Sequence, residues 1–205
     1  MEKDIRECIN NLSKNGFDTH FVEDVYEAKS LLFEMSKPYL TFGIGGSDTV
    51  RSIGIVQQLK DAGKIVYDHW IEGLTKEQDL ELRLMQGRCD CFLCSANAIT
   101  VSGELVNVDG IGNRVSAMCF GPKKVIVVAG INKIVPDISS AIKRIKEIAA
   151  PLRAKSLGLS TPCVKTGKCT ECDSPQRICR ITTIIHKKPV LTDLSVIIVN
   201  KQLGY

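Results

Sequence analysis

Val125-Ile126-Val127-Val128-Ala129-Gly130 is apolar at every position, so a strand made from it has a hydrophobic face on both sides. Parallel sheets covered by helices on both faces demand that pattern, and antiparallel sheets with one wet face do not. The run ends in Asn132-Lys133, polar groups at the carboxyl end of a strand, where open α/β sheets bind their ligands. Downstream, Asp137 can cap a long helix carrying Ile138, Ala141, Ile142, Ile145 and Ile148 until Pro151 interrupts or ends it. Upstream, Val115 to Phe120 reads as a short helix stopped by Gly121-Pro122.

Two further strand ends carry polar turns. In Ser95 to Arg114, SANAITVSGELVNVDGIGNR, residues 98–108 alternate through Ser102-Gly103 as a hairpin. The hairpin delivers Asn107-Val108-Asp109-Gly110-Ile111-Gly112-Asn113-Arg114, more polar groups than a core can use. Earlier, Tyr39 to Ile44 reads as a buried strand entering Gly45-Gly46-Ser47-Asp48-Thr49, followed by helical spacing at Val50, Ile53, Val56 and Leu59. Strand, glycine turn and helix aim backbone N–H groups and a helix dipole at an anion. The sequence is neither a dinucleotide fingerprint nor a Walker loop, so a bound NAD is not expected.

The remaining elements fill in an α/β order. Ile5, Cys8, Ile9 and Leu12 define a first helix ending near Gly16, and a strand follows near Thr19 to Val22. Asp24 caps a second helix with Val25, Ala28, Leu31, Leu32 and Met35 on its apolar face. A strand over 64–67 leads to Asp68-His69-Trp70, with His69 a candidate general base. The next helix opens on the capping box Thr75/Gln78 and presents Leu80, Leu82, Leu84 and Met85. A buried strand over 90–94 carries Cys91 and Cys94, and strict alternation puts Cys89 with Cys91. Strands over 181–186 and 196–199 return the chain to the sheet.

The 205 residues suit one α/β domain, with 160–180 a cysteine-rich loop inside it. Nine cysteines are many, and their odd number, in a chain whose first residues show no signal peptide, points to metal or thiol chemistry in a cytoplasmic protein. No apolar run is long enough to span a bilayer. The net charge of +4 is spread without interleaved aromatics, which argues against nucleic acid. Cys163, Cys169, Cys172 and Cys179 are spaced C-x5-C-x2-C-x6-C in a polar, turn-rich segment. Four soft ligands there would hold a [4Fe-4S] cluster or, alternatively, zinc.

These residues resemble the LUD-domain family, the LutC/YkgG-type lactate-utilisation proteins. The resemblance rests on GIGGSDT, on SANAITVSGELVNVDGIGNRVSAMCFGPKKVIVVAGINKIV, on AAPLRAKSLGLSTPC with the KTGKCTEC and RIC cysteines, and on the closing VNKQLGY. It implies a Rossmann-like three-layer α/β/α sandwich with a largely parallel sheet, similar to the NagB/ribose-5-phosphate isomerase/CoA-transferase fold. It also implies a part in oxidising lactate to pyruvate beside iron–sulfur redox partner subunits.

Three functions follow. The first is an accessory or electron-transfer subunit of lactate oxidation. The second is an isomerase or transferase acting on a phosphorylated sugar or acyl-CoA. The third is a ligand-sensing or scaffold protein with a structural zinc. For a small anionic metabolite, the ligand-binding candidates are Gly45, Gly46, Ser47, Asp48, Thr49, Asn97, Asn107, Gly110, Gly112, Asn113 and Asn132. The catalytic candidates are Asp109 or Glu104 as base or nucleophile, with Arg114 and Lys133 stabilising negative charge. Oligomerisation is left open.

Overall fold

The structure is a computed structural model describing residues 2–205. Its main sheet has six strands: β1 (Asp18–Val22), β2 (Thr41–Ile44), β3 (Ile65–Tyr67), β4 (Cys91–Cys94), β7 (Lys124–Gly130) and β10 (Asp193–Val199). They lie in the order β1-β10-β7-β4-β2-β3, and every neighbouring pair is parallel. As its composition requires, β7 is central and buried throughout. Val125 and Val127 join one core with Phe92, Cys94 and Val196, while Ile126 and Val128 join another with Phe42, Leu93 and Ile197. Each such side chain, fully buried, contributes roughly 1.5–3 kcal/mol. The one charge in the strand, Lys124, is held by Asp193 at 2.9 Å and Asp18 at 3.7 Å.

Helices cover both faces. α1 (Glu2–Lys14) packs Cys8 and Leu12 into the first core beside Ala117 and Met118 of α6 (Asn113–Cys119). α2 (Val25–Ser36), α3 (Asp48–Ser52) and α4 (Ile55–Asp61) cover the second core. Asp24 caps α2 by accepting from the Glu27 N–H, and Thr75 with Gln78 forms a complete capping box on α5 (Lys76–Gln86). The three-layer parallel sandwich expected from the sequence is therefore the observed fold.

A second, mixed sheet was not foreseen. It contains β5 (Ala98–Thr100), β6 (Leu105–Asp109), β8 (Ile134–Val135) and β9 (Ile181–Ile185) in the order β8-β5-β6-β9. The β5–β6 pair is the expected antiparallel hairpin, with Gly103 at φ +85° in its turn. β9 pairs with β6 rather than returning to the main sheet. β5 leaves the main sheet three residues after β4, and β8 follows directly on the 3₁₀ turn Ile131–Lys133 that ends β7.

Three local expectations need correction. The helix after the glycine turn is broken at Gly54, whose φ of +72° separates α3 from α4. Cys89 precedes the strand and falls in the core of Phe92 and Cys94, so alternation counted from it fails. On α5, Leu80 and Leu84 are exposed while Gln86 is buried, its amide donating to the Ile44 and Tyr67 carbonyls. Pro151 interrupts its helix, the first of the two expected outcomes, without ending it: α7 (Ile138–Arg144) widens into a π turn at Ile145–Ala149 and continues as α8 (Ala150–Ser156). Proline has no N–H to donate, and a wider turn before it accommodates that loss.

Candidate functional site

From β2 the chain runs outward to β3, then back past it to β4, β7 and β10. The order reverses at β2 and β4, and the crevice beyond the carboxyl ends at such a reversal is where open α/β sheets place ligands. A cavity of about 420 Å³ occupies that position. Gly46, Ser47, Asp48 and Thr49 enter it from β2, Ser95 and Asn97 from β4, Lys133 from β7, and Asp109, Gly110, Asn113 and Arg114 from the turn joining β6 to α6. The three polar turns singled out in the sequence thus share one cleft.

Hydrogen bonds link them into one network. Lys133 Nζ donates to Thr49 Oγ1 at 3.0 Å and Ser95 Oγ at 2.9 Å. Arg114 NH1 donates to the Ser95 carbonyl at 3.0 Å and to Asn107 Oδ1 at 2.7 Å. Its NH2 reaches Asn97 Oδ1 at 3.1 Å and the Val108 carbonyl at 2.8 Å, and its Nε reaches Asp109 Oδ2 at 3.1 Å. A guanidinium has five N–H groups, and here all five are used. Arg114 is a hub that fixes the turn, with no donor left for a ligand.

Asp109 is similarly committed. Its Oδ1 accepts from the N–H groups of Ile111 and Gly112 at 3.0 and 2.8 Å, and Oδ2 holds Arg114. Burial alone would raise its carboxyl, but the adjacent Arg114 and the two N–H groups hold it below the usual carboxylate range. This is an Asx-type turn closed by an ion pair.

Lys133 is only 4% exposed. Burial, followed by the nearby Arg144 and Arg114 charges, pushes its ammonium down to about 7. Arg144 is buried beside it, donating through Nε to the Asn132 carbonyl at 3.0 Å and through NH1 to the Asn97 carbonyl at 2.7 Å. Among the described residues neither cation pairs with a carboxylate within 4.0 Å. At the other side of the cleft, Arg153 meets Asp48 at 3.4 Å, and its guanidinium lies 4.5 Å from the Trp70 ring centre. Arg51 lies 3.9 Å from the same ring and is paired with Asp68. His69 Nδ1 lies 2.8 Å from the Gln86 amide nitrogen, which also donates to the Ile44 and Tyr67 carbonyls. Burial and then Arg83 bring His69 down to about 4, so it is neutral at ordinary pH and suits a donor better than a general base.

Several expected ligand contacts lie outside the cleft lining. The Gly45 N–H continues the sheet to the Leu93 carbonyl, and a methyl group there would sit 3.2 Å from both Cys94 Cβ and Phe92 Cζ. Asn107 is fully buried and pairs with the Asn97 backbone and Arg114. Gly112 supplies a φ of +101° before α6, and Asn132 ties down Leu203 and Gly204. The five-residue α3 is too short to focus a strong dipole, and Ser47 is occupied as its cap. Glu104 closes the β5–β6 hairpin by accepting from Thr100 and Ser102, apart from the cleft. Glu104→Gln is accordingly expected to cost about 1 kcal/mol in a urea titration and to leave ligand binding unchanged.

Sequence reasoning missed Arg144, Arg153, Ser95 and Tyr205. Arg153 had a readable signal: Ala149, Arg153 and Leu157 recur at intervals of four on one helix face, small residue, cation and apolar cap, and all line the cavity.

The cysteine loop lies behind this cleft. α9 (Pro162–Thr166) buries no side chain, yet Cys163, Cys169, Cys172 and Cys179 all line one small cavity of about 20 Å³. All nine cysteines are free thiols. Arg177 crosses the loop, donating to the Cys172 carbonyl at 2.7 Å and the Cys179 carbonyl at 2.8 Å. Burial, then Cys169, raises the Cys179 thiol. The thiols surround the cavity without meeting at a point: among the described residues, no three His, Cys, Asp or Glu side chains are placed to hold a metal ion as they stand. Their chemistry and enclosure suit a soft metal, and a loop with so little core can contract onto one.

Fold and cleft together define an α/β protein with a ligand crevice beyond a parallel sheet. The sequence pattern of the LUD domain matches residues 5–199, so the chain belongs to the LUD domain family, that of the lactate-utilisation proteins. Its structure is similar to the crystal structure of a DUF162-family protein from Deinococcus radiodurans, with a TM-score of 0.53 over 97% of this chain and 98% of that one. At 13% identity that likeness shows the fold alone. No curated protein matches the sequence. No helix among the described residues is long and apolar enough to cross a membrane.

Proposed function

We propose that this protein binds a small carboxylate of the lactate and pyruvate class in the cleft. It would serve lactate oxidation as an accessory or electron-transfer subunit beside iron–sulfur partners. In this reading the four-cysteine loop holds its own thiolate-ligated centre, a [4Fe-4S] cluster or zinc. One observation carries the proposal for the cleft: Lys133 and Arg144 are buried together at the strand ends, with no carboxylate partner among the described residues. Uncompensated buried cations are costly, and an anionic ligand removes the cost. Thr49 and Ser95, already bonded to Lys133, would orient the ligand carboxylate, and Arg114 would hold the turn in place.

Titration calorimetry with lactate, pyruvate and inorganic phosphate tests this. Because only charged Lys133 attracts the anion, affinity should fall as pH rises through about 7. Above that pH, binding should take up a proton, visible as a dependence of the heat on buffer ionisation. Heats indistinguishable from dilution for all three anions would remove the proposal. A second reading has its own support: the cleft exceeds the needs of a three-carbon acid, and His69, Trp70 and Arg153 add a further set of donors. Tighter binding of ribose 5-phosphate or an acyl-CoA than of pyruvate would favour an isomerase or transferase.

A further inference from the structure

Ala150, Ile178 and Cys179 line both the ligand cleft and the cavity of the four thiols, so a single layer of protein separates the two. Each side of the cleft is also tied to the loop. On one side, the Arg180 N–H donates to the Asp109 carbonyl at 3.0 Å. Gly110 there packs so closely on Ile178 that an added methyl group would meet its carbonyl oxygen at 3.0 Å and its Cα at 3.3 Å. On the other side, the Cys169 N–H donates to the Lys146 carbonyl at 2.9 Å. Lys146 belongs to the π turn whose Ile145 and Ala149 line the cleft. The loop therefore cannot contract without moving the Asp109–Gly110 turn and the π turn together.

We infer that the four-cysteine loop and the cleft are one linked site, in which a metal centre held by Cys163, Cys169, Cys172 and Cys179 and an anion in the cleft strengthen each other's binding across the Cys179 wall. The inference rests on the reading of the loop as a metal site. Charge sets a limit on the linkage, because four thiolates on a divalent metal carry a net charge of about −2, which repels an anion nearby. Arg177 inside the loop and Arg180 at its end offset that charge. What remains is the ordering of the shared wall, which favours binding on both sides. Linkage of this kind is reciprocal, and its usual size makes the expected effect at least about five-fold in affinity.

The test uses the full chain purified without oxygen. Iron, sulfide and zinc are measured, and pyruvate and inorganic phosphate are titrated into the metal-loaded protein, the chelator-stripped protein and a Cys169→Ser, Cys172→Ser variant. Iron with sulfide, or stoichiometric zinc, lost in the variant, identifies the centre. Anion binding at least about five-fold tighter in the loaded protein, with slower metal release to chelator when the anion is present, supports the linkage. If the variant fails to fold by circular dichroism, the stripped natural protein supplies the comparison. Equal affinities in loaded and stripped protein overturn the linkage while leaving the loop a metal site. Absence of metal overturns the loop reading and the linkage with it. Binding of neither anion in any state overturns the cleft reading and the linkage, whatever metal the loop holds.

Discussion

Lys133→Met is expected to melt at a higher temperature than the natural protein and to bind pyruvate at least ~30-fold more weakly. Both effects come from burying an ammonium whose hydrogen-bond partners among the described residues are the Thr49 and Ser95 hydroxyls. Folding lowers the Lys133 pKa from 10.5 to about 7, so between those values the unfolded chain carries a proton that the folded one has released. The stability contributed by this residue therefore rises with pH through that window, and the full cost of the buried charge is felt below pH 7. Methionine keeps the length of the side chain without the charge, and the gain should be on the order of a few kcal/mol at neutral pH and below. Scanning calorimetry from pH 6 to about 10 measures it: the advantage of the variant should shrink as pH rises. A variant less stable than the natural protein at pH 6 would mean that Lys133 has a compensating partner, and the cleft would lose its main reason to attract an anion.

The second large effect should come from Arg114→Met. The substitution leaves the carbonyls of Ser95 and Val108 without their donor and deprives Asp109 of its counter-charge in a buried turn. Breaking a buried pair in this way costs roughly 3–5 kcal/mol. For a chain of this length that corresponds to a fall of about 10 °C in Tm. Lysine at the same position should recover little of the loss, because one ammonium cannot reach acceptors that the planar guanidinium contacts in several directions. If Arg114→Lys instead melts with the natural protein, the charge alone matters and the hub description is wrong.

The elements governed by local chemistry were legible in the sequence. Asp24, Thr75 and Asp137 cap their helices because an N-cap depends on neighbours three residues away. The apolar run of β7 required a central parallel strand for a similar reason: its own composition excludes a wet face. The convergence of Thr49 and Lys133 also followed from sequence order, since parallel strands all end at one edge, whereas Asp109 reaches the cleft from β6, an antiparallel strand of the smaller sheet. What escaped was set by distant partners. Nothing near Arg114 announces that its acceptors come from Ser95, Asn97, Asn107 and Asp109 together, so it read as a ligand group when it is a brace. Gln86 is buried because carbonyls of Ile44 and Tyr67 need its amide, a demand invisible in the periodicity of α5. β8 has two residues, too few to carry any alternation.

The departure of β5 and β8 directly from the ends of β4 and β7 has a consequence for how the molecule could be divided. The smaller sheet is entered from the larger one at two strand ends, after β4 and after β7. Any cut between 95 and 135 would take strands from both sheets at once and carry away Ser95, Asn97 or Lys133 with them. A fragment trimmed to the main sheet would lose its pocket, and a fragment holding only the smaller sheet would lose its floor. Recombination could lengthen the tip of the β5–β6 hairpin or the loop before β10 without cost to the cleft, but it has no seam along which to exchange the ligand site by itself.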